Sequence, residues 1–337
     1  MLDERFARVA VVGTGMMGPG IALTLARGGC RVALYGRTEA SEERGLARVD
    51  GALAFLVEHG VLEAREAPAL RAQIRGTTDL KEAVDGAGLV QESIVEDLET
   101  KRALFRQLEA LCAPQTLLTS DTSGLRISDI VAELARPERS ATLHYWNPPH
   151  LMPLVEITQG EQTAAETVDA LVELMRRCGM APVVARQDVP GQIGNRLQHA
   201  LLREALYMVQ EGIASPADID LALKMGPGRR WPVYGVLEHS DVVGMDLILA
   251  IQRSLVPALC NSPEPLPLLD EMARRGELGV KVGRGLYDWS ERDADAVKER
   301  RDAFLCALAR GWEEDRDATG HMQSAPLERL RSGGNPA

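Results

Sequence analysis

Residues 9–18, Val-Ala-Val-Val-Gly-Thr-Gly-Met-Met-Gly, decide the fold, because an apolar run ends here in a glycine-rich turn. The glycines fit the G-x-G-x-x-G pattern, and a helix-like segment follows them. In such a unit the first glycine permits a tight turn, the second lets the backbone approach a pyrophosphate, and the third lets the helix pack closely. The pattern predicts a dinucleotide-binding loop formed by Gly13, Gly15, Met16, Met17 and Gly18. A turn that only joins a strand to a helix is the alternative, with both methionines serving packing alone.

Apolar runs and helix-like segments alternate along the first half of the chain. The runs lie at residues 8–13, 31–36, 88–94, 116–120, 141–146, 154–157 and 181–185. Such alternation predicts a mostly parallel sheet with helices on both faces. After residue 189 the apolar positions recur every three or four residues, the spacing of amphipathic helices. We therefore expect an α/β protein with a Rossmann-type sheet domain at residues 1–188, an all-helical domain at 189–290, and a charged helix with a flexible tail at 291–337.

Two local patterns predict where helices begin. Ser215 precedes Pro216, which suits an N-cap followed by the first helical position. Thr163 and Glu166 have the spacing of a capping box. We expect a helix to start at each of these points.

The overall composition excludes several classes of protein. Asp and Glu number 49 against 38 Lys and Arg, a formal charge of −11, and phosphate contacts need clustered cations, so no nucleic-acid partner is expected. No apolar run reaches the roughly 18 residues that span a bilayer, so no membrane association is expected either. The five cysteines are scattered, as reduced thiols of a cytoplasmic protein would be, and they predict neither a disulfide framework nor a metal site.

The end of the second apolar run bears on the choice of cofactor. NAD-binding proteins of this type carry an acidic residue there, about 20 residues beyond the glycine loop, to bind the ribose hydroxyls. This chain has Leu34-Tyr35-Gly36-Arg37-Thr38 instead. Gly36 removes the carboxylate that would repel a 2′-phosphate, and Arg37 could bind one, which favours NADP. Alternatively, Arg37 is a solvated surface residue and Glu39 or Glu42 binds the ribose of NAD. Both cofactors stay open at this point.

Three later segments carry polar residues suited to catalysis. They are Ser120-Asp121-Thr122-Ser123-Gly124, His144-Tyr145-Trp146-Asn147-Pro148 leading to Glu156, and Pro190-Gly191-Gln192-Ile193-Gly194-Asn195-Arg196. In this order, and together with the glycine loop, they resemble the 3-hydroxyacyl-CoA dehydrogenase family. The resemblance runs from about residue 8 to residue 289. It implies an NAD(P)-dependent dehydrogenase with a dinucleotide-binding domain and a helical domain.

The resemblance implies that His144 and Glu156 carry the proton chemistry. Imidazole suits a general base because its pKa lies near neutrality, so it can take a hydroxyl proton while hydride leaves the substrate carbon. A carboxylate on the far ring nitrogen fixes the tautomer and stabilises the imidazolium that forms. The turn at Pro148 and Pro149 would let two adjacent strands bring these side chains together.

The resemblance also implies roles for five further polar residues. Ser123 and Asn195 match the family's residues that polarise and position the substrate, although Ser123 also suits a turn and Asn195 a helix cap. Glu96, Lys101 and Asn147 match positions near the cofactor. Glu96 and Lys101 could equally form an exposed ion pair at a helix start.

One stretch departs from the family members that use acyl-CoA. Those members resemble one another in a basic, lysine-bearing helical excursion after the second strand. Residues 49–75 of this chain contain no lysine, and their carboxylates match or outnumber their arginines, which makes a poor surface for the phosphates of CoA. The motifs look closer to branches that do not use CoA, namely lambda-crystallin/L-gulonate 3-dehydrogenase and the pyridine-carboxylate 5-dehydrogenase of vitamin B6 breakdown. We therefore expect oxidation of a secondary alcohol in a small 3-hydroxy acid or related hydroxy-carboxylate.

Two alternatives to this function are kept. The first is a 3-hydroxyacyl-CoA dehydrogenase that acts on thioesters. The second is a non-catalytic dinucleotide-binding or crystallin-like protein, which would have no physical need of the set Ser123, His144, Glu156 and Asn195. In each case the long apolar helices predicted at residues 193–209 and 236–251 suggest a homodimer formed through the helical domain, as the resemblance also implies.

Overall fold

The computed structural model describes residues 4–312, and the chain divides into two compact units. One unit comprises the residues up to Asn195 together with the segment that begins at Asp302, and the other comprises Arg196–Arg301. Within the described part, the helices are too short or too polar to cross a membrane. The flexible tail predicted within residues 291–337 lies outside the described residues.

The first unit is built on one sheet of eight strands. They are β1 (Arg8–Val12), β2 (Arg31–Tyr35), β3 (Ile74–Thr77), β4 (Leu89–Glu92), β5 (Leu117–Ser120), β6 (Ser140–Tyr145), β7 (Leu154–Thr158) and β8 (Ala181–Ala185). The order across the sheet is β3-β2-β1-β4-β5-β6-β7-β8, and only β6 and β7 pair antiparallel. The predicted mostly parallel sheet is confirmed. The sequence patterns miss β3, because its four residues include a charged side chain and a glycine.

Thirteen helices are described in residues 4–312. They are α1 (Gly18–Arg27), α2 (Glu39–Glu58), α3 (Ala67–Ala72), α4 (Leu80–Val84), α5 (Leu98–Leu111), α6 (Ile127–Ile130), α7 (Ala165–Arg177), α8 (Gly194–Gln210), α9 (Pro216–Met225), α10 (Val236–Val243), α11 (Met245–Leu255), α12 (Pro267–Arg274) and α13 (Ala294–Trp312). Single 3-10 turns occur at Glu4–Phe6, Pro137–Arg139, Pro227–Arg229, Val256–Ala258 and Val280–Val282. The predicted Rossmann-type sheet followed by a helical region is confirmed.

Alternate residues of the buried strands pack into two separate cores, since side chains of a strand point to opposite faces. Val9 and Val11 of β1 belong to the core that α1, α2 and α7 cover. Ala10 and Val12 belong to the core beneath α4, α5 and α6. Each fully buried Val, Leu or Ile side chain contributes about 1.5–3 kcal/mol. This two-sided burial fixes the carboxyl ends of the strands, where the polar motifs lie.

The two predicted helix starts have different outcomes. The Ser215 hydroxyl accepts a hydrogen bond from the Asp218 amide at 3.2 Å, and α9 begins at Pro216, as predicted. The capping box at Thr163 is wrong, because α7 begins one residue later with Ala164 at its N-cap. The Thr163 hydroxyl instead donates to the Ser140 carbonyl at 2.6 Å, so it ties the helix entrance to β6.

The helices of the second unit bury few side chains of their own. Leu206, Ile219, Leu266 and Met272 are its buried apolar residues within the described part. Helices α10 and α11, both fully described, contain no buried residue. A large apolar surface of this unit is therefore exposed in the isolated chain.

Candidate active site

The three glycines of the loop after β1 differ in their surroundings. Gly13 has φ +126°, and a Cβ on it would lie 2.2 Å from the Ser93 carbonyl oxygen. A Cβ on Gly18 would lie 1.9 Å from the Gly13 carbonyl oxygen. Around Gly15, in contrast, no described atom lies within 4 Å of such a Cβ. Gly13 and Gly18 therefore make the turn and the close packing, and Gly15 leaves the backbone open to a pyrophosphate, so the loop fits NAD.

The rest of the loop is fixed from both sides. Met17 packs against the core, whereas Met16 has 73% of its surface exposed. Arg48 of α2 donates from Nη1 to the carbonyl oxygens of Thr14 and Gly15, each at 2.8 Å. Sequence patterns give no sign of this arginine, which lies more than 30 residues from the loop. Its two hydrogen bonds turn these carbonyls away from the face that an anion would approach.

Packing explains why no acidic residue stands at the end of β2. Gly36 is buried, and a Cβ on it would lie 2.6 Å from the Glu42 amide nitrogen. The Thr38 hydroxyl accepts the Ser41 amide at 3.2 Å and so caps α2. Arg37 is exposed, and within residues 4–312 no ion pair engages it. The guanidinium is thus available to an anion at the edge of the cofactor loop.

His144 and Glu156 face each other across β6 and β7. The two residues are in register in the antiparallel pair, and His144 Nδ1 lies 3.0 Å from Glu156 Oε2. Both side chains are buried, with the Glu156 carboxylate fully so. The proline turn brings the two strands together as the sequence indicates.

Four hydrogen bonds converge on the Glu156 carboxylate. Besides His144, the Trp146 indole donates to Oε2 at 2.9 Å, and the amides of Ile193 and Gly194 donate to Oε1 at 2.9 and 2.8 Å. Burial acts to raise the pKa of Glu156, but these hydrogen bonds outweigh it and lower the pKa to about 2. The carboxylate is therefore a fixed negative charge behind the imidazole.

The Asn195 side chain, in the first turn of α8, reaches the loop that follows β5 and carries Ser123. The Asn195 amide nitrogen lies 3.5 Å from the Ser123 carbonyl oxygen. One oxygen of Glu96 accepts from the Thr122 hydroxyl at 2.6 Å and from the amides of Ser123 and Gly124 at 3.1 and 3.0 Å. Burial acts to raise the pKa of Glu96, but the hydrogen bonds from Thr122 and Gly124 and the charge of Lys101 lower it. Glu96 thus holds the Ser123 loop in place.

Lys101 forms a buried ion pair rather than an exposed one. Its side chain is 1% exposed, and Nζ lies 2.6 Å from Glu92 Oε1 and 3.4 Å from Glu96 Oε2. The Ser120 hydroxyl donates to the other oxygen of Glu92 at 2.5 Å. Lys101 therefore connects the end of β4 to the Ser123 loop. Asn147 is exposed after β6, and its peptide bond to Pro148 is cis.

Two family models together span these motifs. The 3-hydroxyacyl-CoA dehydrogenase NAD-binding domain matches residues 8–189, and the C-terminal domain of the same family matches residues 191–289. The chain belongs to the 3-hydroxyacyl-CoA dehydrogenase family. The resemblance drawn from the motifs is confirmed, and so is the predicted enzyme class, an NAD-dependent oxidoreductase acting on CH–OH groups.

Members of the family with different substrates are similar to this chain. The 5-formyl-3-hydroxy-2-methylpyridine 4-carboxylate 5-dehydrogenase of Mesorhizobium japonicum is 34% identical over 302 residues, 90% of this chain and 97% of that protein. A probable 3-hydroxybutyryl-CoA dehydrogenase of Bacillus subtilis is 36% identical over 286 residues, 85% and 98% of the two chains. A lambda-crystallin homolog of Homo sapiens is 35% identical over 240 residues, which cover 70% of this chain and 75% of that protein.

The fold extends over nearly the whole chain of one solved relative. The crystal structure of the pyridine 5-dehydrogenase, described as an NAD+-dependent dismutase, has a TM-score of 0.84 at 34% identity and covers 93% of this chain and 100% of that chain. The predicted fold class is thereby confirmed, and so are the resemblances to the pyridine-carboxylate 5-dehydrogenase and to lambda-crystallin.

Sequence reasoning missed several residues of this family site. Trp146, Glu92, Asp121 and Gln192 all contact the predicted residues or their loops. Asp121 and Gln192 lie inside two of the motifs quoted from the sequence. The motifs do not indicate which groups these two side chains bond. Within residues 4–312, no group of three or more His, Cys, Asp or Glu side chains is arranged to hold a metal ion.

Proposed function

We propose that this protein oxidises the CH–OH group of a small hydroxy-carboxylate, with His144 as general base and Glu156 behind it. The His144–Glu156 hydrogen bond of 3.0 Å in a buried, in-register strand pair carries the proposal. Because Nδ1 faces the carboxylate, Nε2 is the nitrogen left to take the substrate's hydroxyl proton. The loop at Gly13–Gly18 would hold NAD, which would supply the acceptor for the hydride of the same carbon. The fixed charge of Glu156 stabilises the imidazolium that results.

The loop holding Ser123 supplies the second element of the site. The Ser123 hydroxyl and the Asn195 side-chain amide can donate to the substrate oxygen. Neither group competes with His144 for the proton of the substrate hydroxyl. Glu96 accepts three hydrogen bonds from residues 122–124, so the loop is positioned before substrate binds. Such preorganisation stabilises charge that develops on the oxygen during the transfer.

The charge distribution over residues 49–75 supports a substrate without CoA. Each arginine of residues 49–75 pairs with a carboxylate: Arg65 with Glu63 at 2.7 Å, Arg71 with Asp50 at 2.6 Å, and Arg75 with Glu82. Exposed pairs of this kind are weak, but they leave the stretch without an uncompensated cation for the phosphates of CoA. The carboxylate named in the Mesorhizobium relative's substrate supports a small acid.

A substrate panel tests this proposal. Reduction of NAD would be followed with free 3-hydroxy acids, a formyl pyridine carboxylate and the matching acyl-CoA thioesters. A hydrated aldehyde presents a C–H and an O–H on one carbon, so the same histidine can serve it. We expect turnover of the free acids or the aldehyde. Turnover of thioesters alone would overturn the proposal and return the protein to the CoA-using members.

The His144→Ala variant tests the base itself. It should bind NAD as the wild type does and lose about 10²–10⁴-fold in turnover. His59→Ala is the matched control, because His59 stacks on Phe55 in α2 and should keep its turnover. Equal turnover of the two variants would remove His144 from the mechanism.

We propose that NADP binds as well as NAD, through Arg37. The exposed guanidinium and the buried Gly36 at the end of β2 support this. Arg37→Ala should weaken NADP(H) about tenfold and leave NAD(H) unchanged. Equal loss for both cofactors would show that Arg37 does not recognise the 2′-phosphate. Absence of NADP binding by the wild type would limit the protein to NAD.

We also propose a homodimer through the second unit. Helices α10 and α11 expose Leu237, Val242, Met245, Leu247 and Leu249 among others, each at least half exposed. Contiguous apolar patches of this kind mark subunit interfaces, and residues 193–209 and 236–251 carry the apolar pattern of such a contact. Light scattering should give twice the chain mass, and Leu247→Glu should give the monomer. A wild-type monomer would contradict the proposal.

A cytoplasmic location completes the proposal. All five cysteines are free thiols, which suits a reducing compartment. Fractionation of the source cells, with the protein recovered outside the soluble cytoplasmic fraction, would contradict it.

A further inference from the structure

Asp121 lies where the ends of three strands meet. It directly follows β5, and its backbone amide donates to the Glu92 carbonyl of β4 at 2.9 Å. Its Oδ1 accepts the Tyr145 amide of β6 at 2.8 Å, and its Oδ2 accepts the Ser93 hydroxyl at 3.2 Å. Tyr145 is the residue after His144, so the Asp121 carboxylate fixes the peptide that presents the imidazole.

The charges around Asp121 come from two neighbouring elements. His144 on β6 and Glu92 on β4 act on its charge, and Lys101 neutralises Glu92. The Tyr145 phenol on β6 is a further ionisable group that interacts with Asp121. Burial raises the pKa of Asp121 to about 7, against the opposing effects of the Tyr145 amide, the His144 charge and the Ser93 hydroxyl. The group therefore exchanges its proton in the pH range in which an imidazole does.

We propose that Asp121 is a positioning residue for His144, a second carboxylate that stabilises the imidazolium when the substrate's proton arrives. Glu156 bonds the ring directly, whereas Asp121 acts from the strand beside it through the Tyr145 peptide and through its charge. The Asp121 carboxylate follows β5, the neighbour of β6, so its charge and that of the His144 ring act on each other. The catalytic part of this inference rests on the proposed function, but the coupling itself does not.

The Asp121→Asn variant separates charge from shape. The amide oxygen can still accept from Tyr145, and the amide nitrogen can donate to the Ser93 hydroxyl, so the backbone geometry is kept. Only the negative charge is lost. A purely structural role would leave the titration of His144 where it is in the wild type.

The first experiment is a titration of the substrate-free protein by NMR. The His144 ring signal is assigned by its loss in His144→Gln and followed from acid to alkaline pH. We expect two linked steps in the wild type and one in Asp121→Asn, with the midpoint about one pH unit lower because the charge favouring imidazolium is gone. If Asp121→Asn does not fold, Ser93→Ala replaces it as the test, because it removes the hydroxyl that donates to Asp121. The midpoint of the His144 signal should then move to lower pH by a smaller amount. Unchanged midpoints in the variants that fold would overturn the inference.

The second experiment measures kcat/KM against pH with the best substrate of the panel. Oxidation needs the neutral imidazole, so the acidic limb should move to lower pH by the same amount in Asp121→Asn. A shifted titration without turnover of any substrate would refute the proposed function alone. Turnover with an unshifted titration and an unshifted acidic limb would refute the role of Asp121 alone.

Discussion

Glu92 and Glu156 are both buried carboxylates on strands of one sheet, and their partners give them different roles. Each side chain is 0% exposed, and each lies close to a cationic or titratable group. Glu92 bonds Lys101 at 2.6 Å, and Glu156 bonds His144 at 3.0 Å. Lysine keeps its proton at neutral pH, whereas imidazole exchanges its proton there. The first pair therefore stabilises the fold, and the second can move a proton.

The comparison shows that burial of a carboxylate does not by itself mark an active site. Both carboxylates accept several hydrogen bonds, and Glu92 also accepts from the Ile94 amide at 2.6 Å. What distinguishes the two is therefore the exchangeable proton of the partner. Glu156 has four donors from two segments of the chain, residues 144–146 and residues 193–194, and two of the donors are backbone amides.

The largest effect is expected for Glu156→Gln. The amide cannot hold the imidazolium charge and favours the wrong tautomer, so turnover should fall by about 10⁴-fold while NAD still binds. Glu92→Gln is the matched variant, and its main effect should be on stability. Steady-state kinetics and cofactor titration of both variants provide the measurement. Equal loss of turnover per folded molecule would erase the distinction between the two carboxylates.

Lys101→Met should give the next largest effect, and it acts on stability. It leaves Glu92 buried without its cation, which costs about 3–4 kcal/mol of unfolding free energy. Adding Glu92→Gln should recover much of this, because both charges are then gone. Lys298→Met breaks an exposed pair with Asp295 and should leave the unfolding midpoint unchanged. Urea unfolding of the three variants would reveal whether the buried pair is as structural as we argue.

The parts of the site that the sequence predicts are those fixed by spacing. The glycine loop follows from the strand–turn–helix pattern, and the meeting of His144 with Glu156 follows from two apolar runs around a Pro-Pro turn. Ser123 and Asn195 come close because their motifs follow the ends of β5 and β8. The glycine loop and the strand pair depend on local chain geometry, which spacing and periodicity encode. Ser123 and Asn195 lie 72 residues apart, and only the family resemblance implies that they act together.

The rest depends on side chains that meet across long separations. Arg48 reaches the loop carbonyls from α2, and Trp146 turns its indole toward Glu156 rather than toward solvent. Thr163 has the spacing of a cap but bonds Ser140 instead. Strand β3 carries too few apolar residues to be recognised from the sequence. It is stabilised as a strand by its parallel pairing with β2. Partner choice of this kind is a tertiary property.

Acid should weaken the fold through Glu156 by a smaller amount. The pKa of this carboxyl is lowered to about 2 from its ordinary 4.5, so its stabilisation is complete above the ordinary value and is lost as pH falls towards the folded one. The loss from about pH 5 to about pH 3 should be about 2 kcal/mol. Comparing the wild type with Glu156→Gln isolates this share from the other carboxylates. If the unfolding free energies of the wild type and Glu156→Gln fall in parallel with pH, the hydrogen bonds do not lower the pKa of Glu156.

The smallest effect is expected for Trp146→Phe. This variant keeps an aromatic side chain but lacks the indole N–H, one of the four donors to Glu156. The indole nitrogen lies 2.9 Å from Oε2, on the same oxygen that faces His144. Loss of this charge-assisted hydrogen bond should lower kcat about tenfold and leave KM nearly unchanged, because the bond matters most when the imidazolium forms. Trp289→Phe is the control, since Trp289 packs on Tyr287 and Arg292 and should keep its kcat. If Trp146→Phe also keeps its kcat, the three remaining donors suffice, and the Glu156 site has the same tolerance as a structural carboxylate.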